Sequence, residues 1–126
     1  MATADRFQSI VPSIPGIQKA YLIYDDGLLR IQGRDRDDSI VVEFRFVGPL
    51  LTRVSDEGVR LKLIPDLPQD GSVILRDQQS ELLAWIADEG LHTREMKSVM
   101  HFVVFVGEEI IDVVAFDDPE IIGLSA

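Results

Sequence analysis

The pair Asp26-Gly27, set between Tyr21-Leu22-Ile23-Tyr24-Asp25 and Leu28-Leu29-Arg30-Ile31, constrains this chain more than any other feature. Glycine tolerates the positive φ of a two-residue turn, and strand-forming residues flank it on both sides, so the segment predicts a β-hairpin. With Asp26-Gly27 as the loop, Leu22, Tyr24, Leu29 and Ile31 share the face expected to enter the core, while Tyr21, Arg30 and Gln32 share the other.

The strand pattern continues beyond this hairpin. After the charged loop Arg34-Asp35-Arg36-Asp37-Asp38, Ile40, Val42, Phe44 and Phe46 alternate with Val41, Glu43 and Arg45, as in a half-buried strand. Gly48-Pro49 breaks it, residues 50–54 resume extended structure, and Ser55-Asp56-Glu57-Gly58 turns into an alternating Val59, Leu61, Leu63. Val73-Ile74-Leu75 is too short for its period to be read. Over residues 77–90 the period changes: Asp77 can cap, Leu82, Leu83, Trp85 and Ile86 fall at helical spacing, and Gly90 stands where helices end. This places Trp85 in a helix–sheet core. A closing hairpin is expected from residues 98–106 and 110–116 around Gly107-Glu108, with Ile121-Ile122 as a tail or edge strand. The expected architecture is α+β: one largely antiparallel, curved sheet of about six or seven strands with one helix, about 77–90, packed on it. The expected organisation is a single domain over 1–126 in which 1–19 is an extended lead-in.

Composition narrows the function. The chain has 22 Asp and Glu against 12 Lys and Arg, a net charge of −10, no Cys and two His. Such a surface repels nucleic acid and anionic lipid, whose recognition rests on Lys and Arg, and it attracts a basic protein. Without thiols there is no disulfide or thiolate chemistry. No stretch has the apolar length of a signal peptide or of a membrane span of about 20 residues. A cytoplasmic protein without cofactor, and without a nucleic-acid or membrane partner, is the expectation.

One constellation has chemical interest. A two-residue Gly107-Glu108 turn pairs Val106 with Glu109 and therefore Val103 with Asp112, making His101 and Asp112 diagonal neighbours on one face. A carboxylate beside an imidazole fixes its tautomer and raises its basicity, which serves catalysis or ligation, although no nucleophile is placed beside the pair by the sequence. Asp35, Asp37 and Asp38 resemble a cation loop only in composition: a calcium loop starting at Asp35 needs Gly and Glu where Ile40 and Phe46 stand, so no metal is expected.

Met100-His101-Phe102, Gly107-Glu108-Glu109, Ile111-Asp112-Val113 and Asp118-Pro119-Glu120-Ile121, with the segment Phe46-Val47-Gly48 to Asp56-Glu57-Gly58, resemble small uncharacterised bacterial single-domain α+β proteins. That resemblance implies no activity; by analogy, some small acidic β-rich bacterial proteins are immunity proteins. The expected function is a non-enzymatic, protein-binding module, immunity- or inhibitor-like, acting on a basic partner through Asp35, Asp37, Asp38, Asp56 and Glu57. The alternatives are a small-molecule-binding domain or enzyme using His101 and Asp112, and a homo-oligomeric structural protein.

Overall fold

The structure is a computed structural model, which describes residues 6–68, 70–90, 92–93 and 95–123. Among the described residues nine strands form two antiparallel sheets. Strands β1 (Phe7–Val11), β5 (Leu51–Asp56), β6 (Ile74–Asp77), β7 (Met100–Val106) and β8 (Glu109–Ala115) make a five-stranded sheet ordered β1-β6-β7-β8-β5. Strands β2 (Lys19–Asp25), β3 (Leu28–Arg34), β4 (Ile40–Val47) and β9 (Glu120–Ile122) make a four-stranded sheet ordered β2-β3-β4-β9. The single helix among the described residues, α1 (Glu81–Glu89), joins β6 to β7. No helix is long and apolar enough to cross a membrane among the described residues.

This corrects the expectation of one curved sheet of six or seven strands. Alternation in a sequence reveals strands but not their partners, and the partner switch occurs at Gly48. There φ is +59°, a conformation that costs glycine little, and the chain leaves β4 in one sheet to enter β5 in the other, beside β8. The two sheets face each other across a shared apolar core. Leu29, Ile31, Val42, Phe44 and Phe46 come from one side, and Ile74, Phe102, Val104, Ile111 and Val113 from the other. The Phe46 and Phe102 rings meet at 5.5 Å between centroids.

The first hairpin forms with the expected register, Tyr24 opposite Leu29 and Leu22 opposite Ile31, around Asp26-Gly27 with φ of +51° and +77°. Its expected core face is only half covered. Leu29 and Ile31 are buried, but β2 is the sheet's edge and leaves Leu22 40% and Tyr24 63% exposed. Within the extended lead-in, residues 7–11 become a strand against β6, while residues 1–5 lie outside the described residues. Val59, Leu61 and Leu63 do not form a strand despite their alternation. Asp56 accepts the Gly58 N–H at 2.8 Å and starts a short 3-10 turn, a second such turn follows over Ile64–Asp66, and Val59 and Leu61 remain exposed.

The helix is shorter than expected at its start. Asp77 belongs to β6 and its carboxylate is taken by Arg6, so the cap is Ser80, extended at φ −77° and ψ 120°, whose Oγ accepts the Leu83 N–H at 3.0 Å. Gly90 closes the helix, its N–H reaching the Ile86 carbonyl.

Candidate functional site

The closing hairpin has Val106 opposite Glu109 and Val103 opposite Asp112, so β7 and β8 each present one apolar side to the other sheet and one side outward. The outward side is where polar residues collect. Asp77 on β6, His101 on β7, Asp112 on β8 and Arg53 on β5 form a line across four neighbouring strands, since Arg53 is the direct partner of Asp112. This line divides the outer face into two apolar halves. Phe7, Leu75, Val103 and Ile110 pack under Leu63 and Leu67 on one half, and on the other Leu82 of α1 packs with Val99 and Val114. Between the two covers lies a cleft of about 580 Å³, whose lining includes His101 and Asp112. That volume falls within the range of small-molecule sites, about 300–1,000 Å³.

At the cleft's floor, Asp112 has no exposed surface and His101 almost none. His101 Nε2 lies 2.7 Å from Asp112 Oδ1, and His101 Nδ1 lies 2.6 Å from Ser80 Oγ. An ionised Asp112 accepts the Nε2 proton, which leaves Nδ1 to accept the Ser80 hydroxyl; the network thus assigns the tautomer. The other Asp112 oxygen, Oδ2, accepts from Arg53 Nε at 3.0 Å and Arg60 Nη1 at 2.8 Å. Arg60 also donates to Ser55 Oγ at 3.3 Å. Across the cleft, Arg6 grips Asp77 with two hydrogen bonds of 3.0 and 2.9 Å, and the Asp77 carboxylate also accepts the Gln79 N–H. No buried side-chain nitrogen or oxygen lacks a partner among the described residues.

Burial alone pushes the Asp112 carboxyl up, but the hydrogen bonds from His101, Arg60 and Arg53 outweigh it and hold its pKa at about 2. The ordinary value is 3.8, so the folded state binds this proton less readily than the unfolded chain does. Stability from Asp112 is therefore complete above about pH 4 and lost as pH falls through about 2, a change of about 2 kcal/mol. Denaturant unfolding between pH 5 and 2 (roughly the window this linkage sets) should show that loss in wild type, and a much flatter acid limb in Asp112→Asn. Equal limbs in the two proteins would show that Asp112 does not titrate as described.

Ser80, His101 and Asp112 have the composition of a nucleophilic triad, but their geometry acts as a lock. The Ser80 oxygen is occupied by the first turn of α1, Ser80 is not among the residues that line the cleft, and both imidazole nitrogens are engaged. What faces the cleft instead is guanidinium. Arg53 is held by its Nε alone, and its terminal nitrogens have no partner among the described residues. Trp85, expected in the helix–sheet core, is 52% exposed and stands in the cleft wall with Leu51 and Leu82. It occupies the side of a short helix that faces the gap rather than the sheet.

The acidic residues singled out in the sequence have local partners. Asp35 Oδ1 accepts the N–H groups of Asp37 and Ser39, shaping the β3–β4 turn. Asp38, at φ +70°, pairs with Arg34 at 3.3 Å and Lys19 at 3.7 Å; the Tyr21 hydroxyl, then Lys19 and Arg34, hold its carboxyl below the usual range. Asp37 is exposed. Asp56 caps the turn already described, and the Glu57 N–H donates to the Glu108 carbonyl at 3.1 Å. Asp56, Glu108 and Glu109 line a groove with Lys19, so the two acidic loops meet on either side of that lysine. Among the described residues no group of three or more His, Asp or Glu is placed to hold a metal.

Sequence reasoning found His101 and Asp112 through one hairpin register, and missed Arg6, Arg53, Arg60, Asp77 and Ser80. The Ser80 cap was visible as a helix-start residue just before Glu81, whereas the arginines come from elements whose pairing the sequence does not encode locally.

No family model and no curated protein matches the chain. A solved structure of an uncharacterized protein from Neisseria gonorrhoeae is similar, with a TM-score of 0.45 and 10% identity, over 92% of this chain and 96% of that one.

Proposed function

We propose that this protein binds a small molecule in the cleft over His101 and Asp112. The observation that carries the reading is the concentration of ionisable side chains at its floor. Five of them, Arg6, Arg60, Asp77, His101 and Asp112, are buried or mostly so, and all line one cavity with apolar walls. Desolvating such groups is a poor way to stabilise a domain, because apolar residues of similar volume do as well or better, and clusters of this kind concentrate at functional sites. His101 is almost wholly buried and Ser80 is not among the residues that line the cleft, so the site suits recognition more than proton transfer. Fragment screening by two-dimensional amide NMR tests this: hits should shift the amides of Leu51, Leu82 and Val103 together with the Trp85 indole. A screen whose hits cluster elsewhere, or that yields none, would reject the cleft as the binding site.

A second reading, protein binding through the acidic loops, is supported by the grouping of Asp56, Glu108 and Glu109 around Lys19. Strand β2, at the sheet's edge, offers it a backbone side with no strand beside it among the described residues. On that reading a basic protein binds in a salt-sensitive way and is lost from a variant carrying Asp56→Asn and Glu57→Gln.

A further inference from the structure

We infer that the ligand of this cleft is an organic monoanion, a carboxylate carried on an apolar body. The inference rests on the reading of the cleft as a binding site and adds the chemistry of what fills it. Arg53 and Arg60 share the single carboxylate oxygen Asp112 Oδ2, so that cluster keeps a surplus of one positive charge. Arg6, by contrast, is matched by Asp77 and has Asp66 3.5 Å away. The surplus is presented as a fork. With Nε pinned to Asp112, the terminal nitrogens of Arg53 remain to donate two parallel hydrogen bonds to a planar carboxylate. A second negative charge is disfavoured by Glu81, exposed on the cleft wall, and by the net charge of −10. The remaining walls are mostly apolar, Leu51, Leu63, Leu82, Val103 and the Trp85 ring, with Thr52 and the indole N–H as their polar groups, and they fit a hydrocarbon or ring.

Trp85 is the only tryptophan, so fluorescence excited selectively at tryptophan rather than at the two tyrosines reports on this wall alone. Three probes with one body separate the possibilities: hydrocinnamate, hydrocinnamyl alcohol and hydrocinnamyl phosphate, titrated against the full chain at neutral pH. Hydrocinnamate should saturate the Trp85 signal, with the neutral alcohol and the dianionic phosphate each at least about tenfold weaker, as expected for a charge-assisted pair. Arg53→Gln should weaken hydrocinnamate by about tenfold, Arg53→Lys should recover only part of it, and Arg36→Gln, on the distant β3–β4 loop, should change nothing. Thermal unfolding of each variant establishes that it is folded when titrated. The alcohol binding as tightly as hydrocinnamate, or an Arg53→Gln variant that binds hydrocinnamate unchanged, would overturn the monoanion while leaving the cleft as a site. Tighter binding of the phosphate would overturn it in favour of a dianion. No Trp85 response to any probe, together with no NMR shifts at the cleft, would remove both readings.

Discussion

Replacing Asp112 by Ala is expected to cost about 3 kcal/mol or more of folding stability, measured by urea unfolding at neutral pH. Three groups depend on this one carboxylate. His101 Nε2 would be left in a site with almost no solvent access, Arg60 would lose its shortest bond, and Arg53 its only bond to a described residue. Removing one partner from a buried charged network costs far more than the network contributes net, because the remaining groups stay desolvated and unpaired. For the same reason, the double variant Asp112→Leu with His101→Leu should recover part of the loss, since an apolar pair leaves fewer groups stranded. A loss below about 1 kcal/mol in Asp112→Ala, typical of exposed pairs, would mean that water already reaches the cluster.

The uneven legibility of this molecule comes from which interactions are local. The β2–β3 and β7–β8 hairpins were readable because turn chemistry and alternation fix a two-residue loop and its register, and the His101–Asp112 juxtaposition results from that register alone. Everything that requires two distant segments was not readable. Whether β5 lies beside β4 or β8 depends on how Gly48 turns the chain, and the answer places Arg53, rather than a β4 residue, opposite Asp112. The alternation of Val59, Leu61 and Leu63 predicted a strand because periodicity carries no information about tethers. Arg60 is drawn to Asp112, 52 positions away, and Asp56 caps the turn that takes it there. Trp85 was misplaced because helical spacing gives the apolar side of a helix but not the extent of what it covers; α1 is nine residues long and shields only one half of the sheet's outer face. The arginines of the cleft lining are therefore the part least visible in the sequence.

Phe102→Ala is the second large effect expected, a loss of about 3–5 kcal/mol by the same unfolding measurement. Phe102 is fully buried, belongs to the core shared by both sheets, and holds its ring against Phe46 of the opposite sheet at a 53° tilt. Truncation removes the apolar contact and opens a cavity that flanking residues such as Val104 and Val113, themselves held in strands, cannot collapse to fill. Val59→Ala, at an exposed position of similar hydrophobicity, should stay within about 0.5 kcal/mol. The contrast tests whether Phe102 lies in the core that the two sheets share, because a position outside that core would respond like Val59. The variant also separates fold from site. Phe102 points away from the cleft while its neighbour His101 points into it, so surviving folded protein should keep the Trp85 emission of wild type, and a shifted emission would show that the core sets the cleft's shape through the β7 backbone.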